Sequence, residues 1–216
     1  MRLNVEGLFI KIAGVTSEED ALFAIGLGAN AVGFDFGVSP RQISPASAHD
    51  VIRRLPQGAL SVGSFRNELP QRVVEISNTL GLSAVQLEGA WAGSQLAYVR
   101  ERVNTVFRRM DAEGGAPADA DYLVVPEDDD HFALNAALDV LRTSNARRPI
   151  VASGGLDSTN VIDVVQNYPI FGVEARSGVE QRPGVKDPVR LGEFIANARW
   201  AYDHALVERD FNEWRL

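Results

Sequence analysis

The sequence has no cysteine among its 216 residues. Disulfides and thiolate chemistry are thereby excluded, and a zinc site would have to rest on histidines and carboxylates. Only three histidines are present, His49, His131 and His204, scattered without metal-ligand spacing. No metal and no cofactor is therefore expected. Long apolar runs are missing as well. Nowhere do about eighteen apolar residues follow one another, and the opening MRLNVEGLFIKIAG has no stretch suited to a signal peptide. Basic residues are in deficit, 21 against 29 acidic ones, for a formal net charge of −8. A nucleic acid or an anionic membrane calls for a basic patch, so neither is expected as a partner. A phosphorylated small molecule remains compatible, because a phosphate site is local. The expectation is a cytoplasmic protein, monomer or homodimer.

What is present is a regular rhythm. With 45% hydrophobic and 23% charged residues, the chain suits one sizeable core. Residues 8–13 read as an apolar strand interrupted by Lys11 and closed by Gly14. Thr16 and Glu19 have capping-box spacing ahead of Ala21, Leu22 and Ile25, which predicts a helix. Residues 30–36 form a second strand, SPRQISP turns the chain, and Ser44 with Pro45 starts a helix that runs to about Leu55. The pattern repeats through strands at 59–65, 83–87 and 104–110, with helices over about 69–80 and 94–102 between them. Residues 111–121, DAEGGAPADAD, are barely long enough for a parallel crossover and contain glycine and proline. They read as a loop that has replaced the fifth helix. Strands at 122–125, 150–152 and 170–175, with a helix over 131–142, complete the set. On the last helix Leu191, Phe194, Ile195, Ala198 and Ala201 share one face, and Trp200 lies opposite. Trp200 then points away from the body, as a single exposed aromatic, or covered by Phe211 and Trp214 of the tail, or in contact with a second copy.

Eight strands alternating with helices point to an α/β fold, a single closed (β/α)8 (TIM) barrel over residues 1–206. Residues 207–216 are left as a tail packed on the barrel or on a partner. Such a barrel carries its active site at the C-terminal ends of the strands, with phosphate held after strands seven and eight. Strand seven ends in Ser153, Gly154 and Gly155, and strand eight in Arg176, Ser177 and Gly178. Glycine permits left-handed backbone and close approach, so two such turns side by side can present N–H groups to one phosphate.

The motifs KIAGVTSEEDALFAIGLGANAVGFDF, SPRQISP, AVQLEG, SGGL, SGVE and PGVKD occur in order along nearly the whole chain. Together they resemble the phosphoribosylanthranilate isomerase family of tryptophan biosynthesis. The resemblance implies a (β/α)8 barrel and a phosphoribosyl ligand of the aromatic-amine type. It implies phosphate held by the backbone of Gly154, Gly155, Ser177 and Gly178, and Arg41 facing the anthranilate carboxylate. The family reaction is an Amadori rearrangement, which needs an acid to open the ribose ring and a base to take the C2′ proton. In the family pattern the base is the cysteine of KICG, where Ala13 stands here. The acid is an aspartate at the end of strand six, where YLVVP places Val125 or Pro126. Glu88 replaces the histidine of QLHG, Glu174 the aspartate of DVSSGVE, and Arg176 a small residue before SGVE.

Three carboxylates, Glu88, Asp35 and Glu174, are the candidates to stand in as acid and base. Glu88 shares its strand face with Gln86 and should point into the barrel mouth. Asp35 is alternatively a strand-end turn residue bonded to its own backbone. Lys11 would share the face of Ala13, where a salt link to Asp35 or Glu88 satisfies it. Lys11, Arg41, Gln86 and Arg176 are the candidate substrate-binding residues. Arg108 and Arg109 alternate on strand five, so one enters the barrel. The acidic run EDDD at 127–130 is either a replacement acid, a cation site or a favourable start to the next helix. Three functions stay open: an isomerase with relocated acid and base, a related enzyme acting on another phosphosugar conjugate, and a ligand-binding protein without turnover.

Overall fold

The computed structural model describes residues 3, 5–109, 120–125 and 148–205. Eight parallel strands close on themselves in chain order: β1 (Phe9–Ile12), β2 (Ala31–Asp35), β3 (Leu60–Arg66), β4 (Ala84–Glu88), β5 (Val106–Arg109), β6 (Tyr122–Val125), β7 (Ile150–Ala152) and β8 (Gly172–Ala175). The closure is made by β8 on β1, with Lys11 opposite Glu174 and Ile12 opposite Ala175. Helices α1 (Glu18–Gly26), α2 (Pro45–Ile52), α3 (Pro70–Leu80), α4 (Gly93–Arg100), α5 (Val161–Asn167) and α6 (Pro188–Asp203) cover the described part of the outside. A short hairpin of β9 (Glu180–Arg182) and β10 (Val185–Lys186) lies between β8 and α6. The barrel expected from the alternation of apolar runs is thus the fold. The lost fifth helix, the helix over 131–142, the EDDD run and the tail over 207–216 fall outside the described residues.

Local chemistry accounts for most of the boundaries. Ser44 caps α2 by accepting the Ser47 N–H at 3.1 Å, and Pro45 occupies the first turn, where its missing N–H does no harm. Gly81 ends α3 in left-handed conformation at φ 63°. The start of α1 differs from the expected Thr16 cap. Ser17 is the capping residue, accepting the Asp20 N–H at 3.1 Å, while the Thr16 hydroxyl donates to the Gly184 carbonyl at 2.5 Å. Two adjacent hydroxyls could cap, and the hairpin loop after β9 takes one of them.

The core has two parts. Between strands and helices lies the larger one, with Ile10, Ile12, Phe34, Leu87, Val173 and Phe194 all buried. Inside the barrel, at the N-terminal end of the strands, Phe9, Phe107 and Tyr122 stack, with ring centroids 5.9 Å apart for Phe9 and Phe107 and 4.7 Å for Phe107 and Tyr122. Glycine makes room for this filling: a Cβ on Gly172 would sit 2.4 Å from the Phe9 carbonyl oxygen. One layer higher, a Cβ on Gly33 would meet Lys11 Cε at 2.9 Å, so the lysine occupies the space a side chain would take. Trp200 is half-exposed on the outward face of α6, stacked on His204 with centroids 4.6 Å apart. No helix among the described residues is long and apolar enough to cross a membrane.

Candidate active site

Above the aromatic plug the barrel interior turns ionic. The register that sets Lys11 beside Glu174 brings Lys11 Nζ to 2.7 Å from Glu174 Oε2, and the same ammonium donates to Gln86 Oε1 at 2.7 Å. Arg109 donates through Nη2 to Glu174 Oε1 at 2.5 Å and through Nε to Glu88 Oε1 at 3.0 Å. Gln86 Nε2 also donates to Glu88 Oε1, at 3.0 Å, and Ser153 Oγ to Glu174 Oε1, at 3.1 Å. Arg66 Nη2 completes the network from the rim, 3.1 Å from Glu88 Oε2. Buried charges persist only when paired and hydrogen-bonded. Burial alone pushes the Glu174 carboxyl up, but Lys11 and Arg109 outweigh it and hold the group well below the usual carboxylate range. For Glu88 burial is likewise outweighed, by Arg109 and the Gln86 hydrogen bond, and its carboxyl is held low.

Lys11 therefore pairs with Glu174, and not with Asp35 or Glu88. The reason is register: on β2 the residue opposite Lys11 is Ala31, which leaves Asp35 further toward the mouth. Of the two strand-five arginines, Arg109 is the one that enters, and strand alternation had already limited the choice to one of them.

A second cluster sits beside the end of β1. Arg41 forks onto Glu180, with Nε 3.0 Å from both carboxylate oxygens and Nη2 2.8 Å from Oε2. Lys186 Nζ donates to Glu180 Oε1 at 2.9 Å and to the Ala13 carbonyl at 2.6 Å. Burial lowers the Lys186 ammonium, against the opposing pull of Glu180, while Glu180 is held low despite its burial by the hydrogen bonds from Arg41 and Lys186. Glu180 and Lys186 were not among the candidates read from the sequence, although SGVE and PGVKD contain them. Both lie in motifs whose glycines and turns drew the reading elsewhere.

The open cleft at the strand ends is walled by Asp35, Ser39, Ser64, Arg66, Glu88 and Arg176. Asp35 is only 8% exposed and accepts the Ser39 hydroxyl at 3.3 Å. Burial pushes its carboxyl above the ordinary value, and Arg176 offsets only part of that. The cleft thus contains two carboxyl groups displaced in opposite directions, Asp35 upward and Glu88 downward. Glu174, Lys11 and Gln86 lie beneath it, fully buried in the network. Ala13, at the end of β1, and Val125, at the end of β6, bring no titratable group to the mouth.

The two glycine turns meet. Gly154 and Gly155 are both left-handed, at φ 83° and 58°, and Asn160 Nδ2 pins the Gly155 carbonyl at 2.8 Å. The turn after β8 is a 3-10 segment, Ser177–Val179. A Cβ on Gly178 would sit 2.1 Å from the Leu156 carbonyl oxygen, so the two turns are in backbone contact. Gly178→Ala must push them apart, and we expect it to lower the urea midpoint of unfolding, an overpacking cost of about 1–3 kcal/mol.

The family model for N-(5'phosphoribosyl)anthranilate (PRA) isomerase matches residues 10–197. The N-(5'-phosphoribosyl)anthranilate isomerase of Pelobacter propionicus is 36% identical over 199 residues, covering 88% of this chain and 95% of that protein. The enzyme of the same name from Citrifermentans bemidjiense is 38% identical over 199 residues, covering 88% and 96%. Among solved structures, a phosphoribosyl anthranilate isomerase in complex with reduced 1-(o-carboxyphenylamino)-1-deoxyribulose 5-phosphate is 32% identical, covers 89% of this chain and 99% of that one, and superposes with a TM-score of 0.77. Monomers generated from the dimeric isomerase of Thermotoga maritima are 32% identical over 88% of this chain and 98% of theirs, with a TM-score of 0.69. With the motifs, the closed barrel and these similarities in agreement, the chain belongs to the phosphoribosylanthranilate isomerase family.

Proposed function

We propose that this protein binds a phosphoribosyl conjugate of an aromatic amine and isomerises it by an Amadori rearrangement with relocated acid and base. One observation carries the reading: a cleft that holds a carboxyl pushed up, Asp35, beside a carboxyl held down, Glu88, next to two glycine turns in backbone contact. Carboxyl groups whose environments drive their affinities for protons apart divide into acid and base. Asp35, protonated, donates to the ribose ring oxygen as the C1′–O bond breaks, which leaves an iminium on the aromatic nitrogen. Glu88, ionised, takes the C2′ proton, and the electron pair of that C–H bond moves toward the iminium to give the enolamine. Ketonisation then yields the 1-amino-1-deoxyketose. Arg109 and Gln86 hold Glu88 in its ionised form and fix its direction. Glu174 and Lys11 act from below by fixing Arg109 and Gln86. The phosphate is held by the backbone of Gly154, Gly155, Ser177 and Gly178.

A second reading, a phosphoribosyl-ligand-binding protein without turnover, is favoured by a different observation. Neither Ala13, nor Val125 or Pro126, carries a transferable proton at the two positions where the family pattern has its base and acid. The test is one experiment on the purified protein with freshly made phosphoribosylanthranilate, following turnover and thermal protection in the same samples. Turnover with protection is the expected result. Protection without turnover selects the binding role, and the absence of both removes the phosphoribosyl ligand.

A further inference from the structure

The turn after β8 is held at both of its flanks by one side chain. Ser177–Val179 is a 3-10 segment of three residues, and its neighbours in the chain are Arg176 and Glu180. Lys186 Nζ reaches the Arg176 carbonyl at 3.4 Å and Glu180 Oε1 at 2.9 Å, and its third contact is the Ala13 carbonyl at 2.6 Å. Lys186 is only 3% exposed. An ammonium has three donors and no acceptor, and here three oxygens take all of them. Lys186 therefore keeps no donor for a ligand, and any effect on one runs through the turn.

The three oxygens belong to parts that are themselves fixed. Ala13 donates its N–H to the Ala175 carbonyl at 2.9 Å, so the lysine sits at the end of the seam where β8 meets β1. Glu180 is gripped by the fork of Arg41 and by the Gly184 N–H at 3.2 Å. The lysine is anchored in turn, because its own N–H donates to Asp20 Oδ2 on α1 at 3.2 Å. Within the turn the Glu180 N–H returns to the Ser177 carbonyl, and the Val179 carbonyl accepts the Asp187 N–H at 2.9 Å. On the other side the turn abuts the loop after β7, where no space remains between Gly178 and the Leu156 carbonyl. A short turn held in this way has its N–H groups in place before an anion arrives, and donors already in place need no ordering on binding.

We infer that Lys186 is a positioning residue for phosphate: it sets the Ser177–Val179 turn in its anion-binding geometry without touching the anion. This rests on the phosphoribosyl reading above, which supplies the phosphate.

The test is K186M, which keeps an unbranched stem and removes the three donors. Glu180 retains Arg41 and the Gly184 N–H in that variant, so its carboxylate is not left unpaired. Calorimetric titration with inorganic phosphate and with ribose 5-phosphate should show K186M binding both about tenfold to a hundredfold more weakly than the wild type, the range of a hydrogen bond from a charged group. V99A, a core truncation on α4, should lower stability and leave both affinities unchanged, which separates positioning from a general loss of stability. Urea unfolding establishes that each variant is folded. If K186M does not fold, K186Q decides in its place, because a glutamine amide has two donors and a shorter reach and cannot hold both flanks together with Ala13. Wild-type affinity in a folded K186M or K186Q, or an equal loss in V99A, overturns the assignment and leaves the phosphate site standing. If neither probe binds the wild-type protein, the phosphoribosyl reading falls and the assignment falls with it.

Discussion

Glu174→Ala should destabilise the barrel by about 3–5 kcal/mol, the range found when one member of a buried ion pair is removed. Glu174 accepts from Lys11, Arg109 and Ser153 and has no exposed surface on its side chain. Its loss leaves the Lys11 ammonium, itself wholly buried, with only the neutral Gln86 amide oxygen among the partners named here. Arg109 keeps Glu88 and loses its hydrogen bond to Glu174. Urea denaturation at neutral pH measures the effect directly, and a change under about 1 kcal/mol would show that the network is solvated and not buried.

The same groups set the response to acid. Glu174, Glu88 and Glu180 all have folded-state affinities for protons below the ordinary carboxylate value of 4.5. Their contribution to stability is therefore fully present above pH 4.5 and is lost as pH falls from there through the folded values. Asp35 works the other way. Its folded value lies above 3.8, so it weakens the fold as pH rises from 3.8 through that value. Three groups oppose one, and the wild-type protein should lose stability steeply below about pH 4.5, with a shallower slope in Glu174→Ala.

Asp35→Asn should lower turnover of phosphoribosylanthranilate by about 10²- to 10⁴-fold, the usual contribution of a positioned proton donor. The amide keeps the shape of the carboxyl and an oxygen for the Ser39 hydroxyl, so ligand affinity should change little. The pH profile distinguishes a lost acid from a disturbed cleft. The proposed mechanism needs Asp35 protonated and Glu88 ionised. It should fall as pH rises through the raised Asp35 value and as pH falls through the lowered Glu88 value. In Asp35→Asn the alkaline limb should vanish and the acid limb remain. Full activity in the variant, or an unchanged alkaline limb, would take Asp35 out of the mechanism.

Local rules carried a large part of this protein. Apolar runs of strand length, the Ser44–Pro45 helix start and the Gly154–Gly155 turn each depend on neighbours a few residues away, so they could be read in order along the chain. The same holds for the placement of Trp200 outside and of Gln86 and Glu88 on one strand face. Errors arose where two adjacent residues had the same local chemistry, as with Thr16 and Ser17, and a distant loop chose between them.

The candidate site was legible as a set of residues but not as a set of partners. Along the sequence Lys11 reads as a barrel lysine in need of a carboxylate, with Asp35 or Glu88 as its expected partner, and neither is the one it meets. The answer lies 163 positions away, fixed by the β1 and β8 register at the closure of the barrel. Arg41 and Glu180 are 139 positions apart and meet only because the hairpin after β8 folds back over β1. Whether a carboxyl is an acid or a base depends on desolvation and on nearby charge, and both are properties of the assembled mouth. Sequence by itself determined the barrel, the glycine turns and the types of residue at the strand ends, because these follow from short-range periodicity and backbone sterics. Only the tertiary structure decided which charges neutralise each other, and so pushed the Asp35 carboxyl up, held the Glu88 carboxyl down and locked Glu174 beneath them.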